Sequence, residues 1–392
     1  MDKLPKGWRI LPFEKVVLNL DSKRIPLKSG DRDIQKGDIP YYGASGIIDY
    51  IDKVIFDCEH LLISEDGANL LARTYPIAFI ANGRFWVNNH AHIVIAKSDI
   101  TTNRYLELYF SSINISEYVT GSAQPKLNQS KLNSIPIPLP PLPEQTRIVN
   151  KLDSLFERID KSIALLEENI KHTEALMASV LEDTFKKLES ISKVYQIKEF
   201  ADIKGGKRLP KGKSLLDTKT IYPYIRVTDF NDNGSVDVES IKYMEKDVQD
   251  QIKRYIITTK DVYISIAGTI GKTGIIPDEL NNANLTENAA RLVFKPSFQI
   301  NNRFIYYFTL SDIFKDQIGL ATKIVAQPKL ALTRLAEVEL PIPALEIQNK
   351  EVLIFDELSK KFQEIKIQQQ SKLSYLKALK ASLLDKAFKG EL

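Results

Sequence analysis

The pentapeptide Ala-Gln-Pro-Lys-Leu occurs at residues 123–127 and again at 326–330, 203 residues later. Beyond it the two segments stay in register without a gap. Leu132 matches Leu335, Pro138 and Pro140 match Pro341 and Pro343, Leu142 matches Leu345, and Gln145 matches Gln348. The series continues through Val149 and Val352, Asp153 and Asp356, Leu176 and Leu379, Ala178-Ser179 and Ala381-Ser382, to Phe185-Lys186 and Phe388-Lys389. A repeat of this length fixes the organisation of the chain before anything else is read. It runs variable block, shared segment, second variable block, shared segment.

The shared segment changes character part-way. IPIPLPPLP is extended, because each proline fixes its own φ and disfavours helix in the residue before it. A heptad pattern follows: positions 149, 152, 156, 159, 163, 166, 170, 173, 177, 180 and 184 hold Val, Leu, Phe, Ile, Ile, Leu, Ile, Thr, Met, Val and Thr. Alternating steps of three and four with apolar residues at nearly every step predict a coiled-coil helix. The second copy keeps Val352, Phe355, Phe362, Leu373, Leu376 and Leu383 but places Lys366, Gln369 and Lys380 in its seam. Packing of each helix on its own neighbouring block is the alternative. The first helix delivers the chain to the second block and the second helix leaves it, so paired helices must be antiparallel. The expected architecture is α+β: two globular mixed α/β heads on a long antiparallel helix pair with pseudo-two-fold repetition, a rod roughly 54 Å long at about 1.5 Å per residue. The expected divisions are 1–143 (first head with its proline-rich exit), 144–190 (first spacer helix), 191–345 (second head) and 346–392 (second spacer helix).

Kinship between the blocks is faint. Ile63-Ser64 with Gly67 corresponds to Ile264-Ser265 with Gly268, and HAHIVIAK to NAARLVFK. One fold carrying two different surfaces is the reading these fragments support.

Composition narrows the function classes. A hydrophobic fraction of 43% and a charged fraction of 27% are those of a globular chain. The charged, proline-broken N-terminus is no export signal and no apolar run suits a membrane span, so a cytoplasmic protein without membrane association is expected. With Cys58 alone among cysteines, and His60, His90, His92 and His172 lacking cysteine partners at zinc spacing, neither a disulfide framework nor a structural metal is expected. Residues 1–122 carry 14 basic and 15 acidic groups and residues 188–325 carry 20 and 17, a weak charge for a free-standing DNA binder. The balance suits a reader whose partners help to hold the duplex.

Two heads on a symmetric support are what bipartite DNA recognition requires. In the second head, KGGKRLPKGK supplies Lys204, Lys207, Arg208, Lys211 and Lys213 around a Gly-Gly that can let backbone amides approach a phosphate, or forms a solvated lysine loop. YPYIRVTDF places Arg226, Thr228 and Asp229 at a strand exit where they reach base edges or serve the framework. GTIGKTG lacks the leading glycine of a nucleotide-binding loop, which leaves Lys272 as a backbone contact. In the first head, Tyr41 and Tyr42 precede a small-residue turn. ANGRFWVNNHAH gathers Arg84, Trp86, Asn88, Asn89, His90 and His92, either for major-groove contacts or as a buried aromatic strand with an asparagine turn. Glu65 and Asp66 read as an ordinary turn rather than a nuclease site. Neither an Asn-Pro-Pro-Tyr type of methyltransferase motif nor a cofactor loop is present. The remaining alternative to a DNA reader is a coiled-coil adaptor that binds only proteins.

IPLPPLPEQ followed by the heptad helix, the segment repeated after a second block, together with FADIKGGKRLP, YIRVTDF, SIAGTIGKTG, PYYGASGIIDY and LLISEDGA, resembles the specificity subunit of type I restriction-modification systems. The resemblance covers essentially the whole chain. It implies a non-catalytic subunit with two target recognition domains, each reading half of an asymmetric interrupted sequence in double-stranded DNA, and helices that set the spacing. It further implies two docked modification subunits that use S-adenosylmethionine, with restriction subunits that use ATP and magnesium; this chain would hold no cofactor. Docking would involve Leu142, Pro143, Glu144, Gln145, Leu345 and Gln348. The second copy departs from the pattern at PIPALEIQ, which lacks counterparts of Pro143 and Glu144.

Overall fold

The computed structural model describes residues 5–121, 123–319 and 329–392. Ala326, Gln327 and Pro328 of the second pentapeptide lie outside the described residues, as do the first four residues of the chain. Two compact units emerge: one takes the chain up to Glu167 together with Ser371–Leu392, and the other is Glu168–Gln370.

The first head has two four-stranded sheets. One is antiparallel, in the order Val17–Asn19, Ala91–Ala96, His60–Ser64, Ala78–Ala81. The other runs Gly46–Ile51, Lys36–Gly43, Arg84–Val87, Phe56–Asp57, and its middle pair is parallel. The second head repeats this plan. Its first sheet is Ala201–Gly205, Ala289–Phe294, Val262–Ser265, Thr273–Gly274; its second is Lys242–Tyr243, Pro223–Ile225, Ala283–Leu285, Ile256–Ile257, again with the middle pair parallel. The faint sequence kinship therefore reflects one topology used twice.

The proline-rich lead-in is a strand, Pro136–Leu139, paired with Arg9–Pro12. Two of its residues have no N–H to give, and their carbonyls are taken up by buried phenols: Tyr105 donates to Pro138 O at 2.7 Å and Tyr109 to Pro136 O at 2.6 Å. Burial pushes both phenols far above their ordinary range. In the second head Val194–Gln196 pairs with Glu339–Pro341 in the same way.

The long helices are Leu142–Ile191 and Leu345–Lys389. In the first unit Lys380 reaches Asp160 at 2.7 Å and Lys377 reaches Glu167 at 3.5 Å; in the second, Lys366 pairs with Glu174 and Thr173 faces Gln369. Residue numbers fall on one helix as they rise on the other, so within each unit the helices pair antiparallel. The expected seam faces inward, with Leu152, Phe156 and Ile159 buried and residues 163, 166, 170, 173, 177, 180 and 184 partly covered. The polar seam positions of the second copy, Lys366 and Lys380, are the ones matched by acids across the pair.

Each head is gripped by the start of one long helix and the end of the other. Ile148, Leu152, Leu384 and Phe388 join the core of the first head, and Leu181, Phe185, Val352 and Phe355 that of the second. The repeated phenylalanines do equivalent work: Phe388 packs on Tyr105 and Tyr109 at 5.3 and 5.1 Å, and Phe185 on Phe304 and Phe308 at 5.3 and 5.1 Å. The repeated Asp153 and Asp356 likewise hold Arg104 and Arg303 of the heads. Among the described residues no helix is long and apolar enough to cross a membrane, and no group of three or more His, Cys, Asp or Glu is placed to hold a metal ion.

Candidate nucleic-acid interface

Three backbone hydrogen bonds recur in both heads and align them. Glu65 N donates to His90 O, as Ile266 N does to Asn288 O; Leu127 N donates to Glu65 O, as Leu330 N does to Ile266 O; Asn88 N donates to Tyr42 O, as Thr286 N does to Ile225 O. The second set explains why the pentapeptide repeats: its leucine amide ties the shared segment to the sheet of each head. The third set marks the point where the heads diverge. After Tyr42 the first head turns back at once through Ala44-Ser45 into Gly46–Ile51. After Ile225 the second head makes an excursion over residues 226–241 before its equivalent strand, Lys242–Tyr243.

On this frame the sequence candidates separate. In the first head Tyr41 is 1% exposed, its hydroxyl accepts from Leu27 N at 3.0 Å, and Arg32 lies over its ring, so it belongs to the framework rather than the surface. Tyr42 is half-buried on Phe79 and Phe85, and burial raises its phenol. Asn88 is buried, its side chain accepting from His90 N to shape the turn; this corrects the reading of Asn88 as a base contact. Asn89 and His90 are exposed, with His90 Nδ1 2.8 Å from Asp66. Arg84 is exposed but starts the strand that Val87 ends, so strand Arg84–Val87 separates it from Asn89 instead of gathering the two. Trp86 is buried and donates to Ile25 O, and His92 is buried against Asp21. Glu65 is more than a turn residue: Arg24 at 2.6 Å and Lys126 at 3.2 Å pair with it.

In the second head the Gly-Gly expectation is overturned. Gly206 N donates to Ala289 O, and a Cβ there would run into the carbonyls of Leu285 and Thr286. The glycine permits close strand packing, not phosphate approach. The surrounding basic side chains are exposed, and several are held by acids: Arg208 by Glu287 at 2.6 Å, Lys213 by Asp247 at 2.6 Å and Lys204 by Asp202 at 3.8 Å. Lys207 lies over the Tyr255 ring, and Lys211 is exposed. Partial burial raises the Glu287 carboxyl, but hydrogen bonds from Arg208, its own backbone amide and Thr286, with the Arg208 charge, leave it below its usual range, and the Lys213 hydrogen bond lowers Asp247. Solvent screens such exposed pairs strongly, so a phosphate can take the place of the carboxylate. Arg226 is tied to buried Asp229 and to Ser240 O, which removes Asp229 from the surface and leaves Thr228 exposed. Lys272 sits 2.7 Å from Asp232, whose carboxyl it lowers.

The docking candidates split in the same manner. Pro143 is exposed, Leu142 and Leu345 are half-buried, and Glu144 is paired with Arg147. Gln145 and Gln348 are 2% and 0% exposed and fully engaged in hydrogen bonds, so they cannot meet a docked subunit. The sequence reading missed the exposed Ile47, Ile48 and Tyr50 and the loop residues Asp232 and Asn233. A consecutive Ile-Ile just after a glycine turn was the available signal.

A profile of the type I restriction modification DNA specificity domain matches residues 7–171 and again 189–375. The chain belongs to the type I DNA specificity family. A Haemophilus influenzae chain described as a type I restriction enzyme specificity subunit is 30% identical over 364 residues, which cover 91% of this chain and 89% of that one. The EcoBI specificity subunit of Escherichia coli is 28% identical over 72% of this chain and 64% of its own length. Among solved structures, a chain from the assembly of the type I restriction-modification system superposes over all of both chains with a TM-score of 0.76 at 20% identity. The HsdS subunit from Thermoanaerobacter tengcongensis covers all of this chain and 98% of its own, with a TM-score of 0.54 at 21% identity. The two profile matches fall on the two heads with their helices. As a specificity subunit the chain is the non-catalytic DNA-recognition member of its system.

Proposed function

We propose that each head of this specificity subunit reads one half of an asymmetric, interrupted DNA sequence, and that the long helices set the interval between the halves and dock two modification subunits. The observation that carries the reading is the divergence of the heads at one equivalent place, a tight hairpin through Ala44-Ser45 in the first and residues 226–241 in the second, on an otherwise repeated frame. Unequal surfaces on equal frames recognise unequal half-sites. Phosphate contacts come from Lys204, Lys207, Arg208, Lys211, Lys213 and Lys272, which position without specifying; base contacts come from Thr228 in the second head and from Asn89, His90 and Arg84 in the first.

The chemistry lies with the partners. The modification subunits supply methyl transfer from S-adenosylmethionine, and restriction subunits supply ATP- and magnesium-dependent cleavage; Leu142, Pro143, Glu144 and Leu345 remain the docking candidates on the helices. The site of action is the cytoplasm. Methylome sequencing of a host that expresses the chain with its modification partner tests the proposal: one new interrupted, asymmetric motif is expected, and the absence of any new motif would overturn it.

A further inference from the structure

In a regular strand, neighbouring side chains point to opposite faces, so of two consecutive residues one is normally covered. Ile47 and Ile48, on the edge strand Gly46–Ile51 of the first head, are 46% and 52% exposed. The cause is a slip in pairing. Tyr41 faces Asp49 but Tyr42 faces Ile47, which leaves Ile48 as the extra residue of a β-bulge. Bulges re-aim side chains, and here one turns a second isoleucine outward. Tyr50, two residues on, is 49% exposed. The one acid between them is neutralised: Lys36 at 2.7 Å and Arg32 at 2.9 Å hold Asp49, and their hydrogen bonds with that of the Tyr50 amide keep its carboxyl far below the ordinary range. An apolar sheet edge without net negative charge is an association hazard unless a ligand covers it.

The edge is continuous with the candidate interface. Tyr42 at the slip accepts the amide of Asn88, and the positions after it are the exposed Asn89 and His90. A Cβ on Gly43 would lie 3.1 Å from Ile48 and 3.5 Å from the Asn88 side chain, so hairpin and loop form one surface. The DNA major groove admits a two-stranded ribbon, and the apolar group it presents on a base edge is the 5-methyl of thymine. In the second head the equivalent place exposes Thr228, Asp232 and Asn233, with Val238 the one exposed apolar residue of that excursion.

We propose that Ile47 and Ile48, the bulged pair beside the Asn89-His90 loop, read the 5-methyl group of thymine in the half-site of the first head. This rests on the DNA-reading function above. The test takes the full chain loaded with its modification subunits, selects its site from a random duplex library, and replaces each thymine of that site in turn with deoxyuridine, which removes only the methyl. At one or two positions within a single half-site the replacement should weaken binding roughly fourfold per methyl, the equivalent of about 0.8 kcal/mol for a buried methylene-sized group. An Ile47→Ser, Ile48→Ser double variant should lose that sensitivity and keep its selectivity for the other half-site, whereas Ile48→Val should retain it. A selected site indifferent to deoxyuridine, or a double variant with an unchanged deoxyuridine penalty, overturns this inference and leaves the DNA-reading function standing; the hairpin then covers a protein surface. Selection of no sequence at all overturns that function, and the inference with it.

Discussion

Gln145 and Gln348, 203 residues apart, each make three side-chain hydrogen bonds of one pattern at the starts of the two long helices. Gln145 donates from Nε2 to Pro140 O and Ile100 O and accepts from Thr101 Oγ1; Gln348 donates to Pro343 O and Gln299 O and accepts from Asn301 N. Each bolts the proline-rich lead-in, the first helical turns and the adjacent head together. Removal strands buried carbonyls, at a cost of about 1–3 kcal/mol for each group left without a partner. Gln145→Ala and Gln348→Ala are each expected to lower stability by about 2–4 kcal/mol, read as a shift in the denaturant midpoint. A loss below about 0.5 kcal/mol, the range of an ordinary surface substitution, would show that the clamp carries no weight.

The two lysines in the second seam are the next test. Lys380 faces Asp160 and Lys366 faces Glu174, each pair within its own unit. Because they are partly exposed, each pair should contribute only about 0.2–1 kcal/mol, but interhelical charge pairs select orientation and register. Lys380→Glu should weaken helix pairing, and Asp160→Lys added to it should recover most of the loss. A double-mutant cycle in thermal unfolding measures the coupling; zero coupling would mean that the aliphatic stems alone matter.

The repeat, the extended lead-in and the helical seam were legible because each is a local pattern: identity at fixed offset, proline spacing, period 3.5. The heads were legible as one fold, and not as surfaces. Tyr41 and Tyr42 are neighbours of one type, as are Asn88 and Asn89, yet Tyr41 is fully buried and Tyr42 half-buried, and Asn88 is buried and Asn89 exposed. How far each is buried depends on Leu27 in a connecting segment, Phe79 in another strand and His90 in the turn, which contact Tyr41, Tyr42 and Asn88. The same blindness made Gln145 look like a docking residue, since its acceptors at Ile100 and Pro140 are set by tertiary packing. It also made Gly206 look like a phosphate cradle, when its neighbours are carbonyls from residues 285 and 286.

Acid sensitivity should originate in the first head. Asp21 and Glu65 have side chains only 8% and 12% exposed. Burial alone would raise both carboxyls, but His92, Arg24 and the Ile93 amide around Asp21, and Arg24, His92 and Lys126 around Glu65, more than offset it and leave both below their ordinary values. A depressed folded value means stability that is complete above the unfolded carboxylate range and is lost as pH falls toward the folded values, starting near about pH 5. Asp21→Asn should flatten the stability profile of the first head between about pH 5 and pH 3 while lowering its plateau. An unchanged slope would place the acid-sensitive groups elsewhere.

The exposed ion pairs of the second head give the sharpest electrostatic test of DNA binding. Arg208 and Lys213 are held by Glu287 and Asp247 at 2.6 Å, and a phosphate that displaces either acid releases a counterion from the duplex. Each true phosphate contact contributes about 0.9 to the slope of log affinity against log salt. Arg208→Gln with Lys213→Gln should therefore reduce the slope by about 2 and weaken all sequences alike, because phosphate contacts carry no base information. A Thr228→Val change in the same head should leave the slope alone and alter only the preferred base. If the Arg208 and Lys213 changes shift base preference and spare the salt slope, those side chains read bases, and the division of labour in this head is the reverse of the one assigned to it.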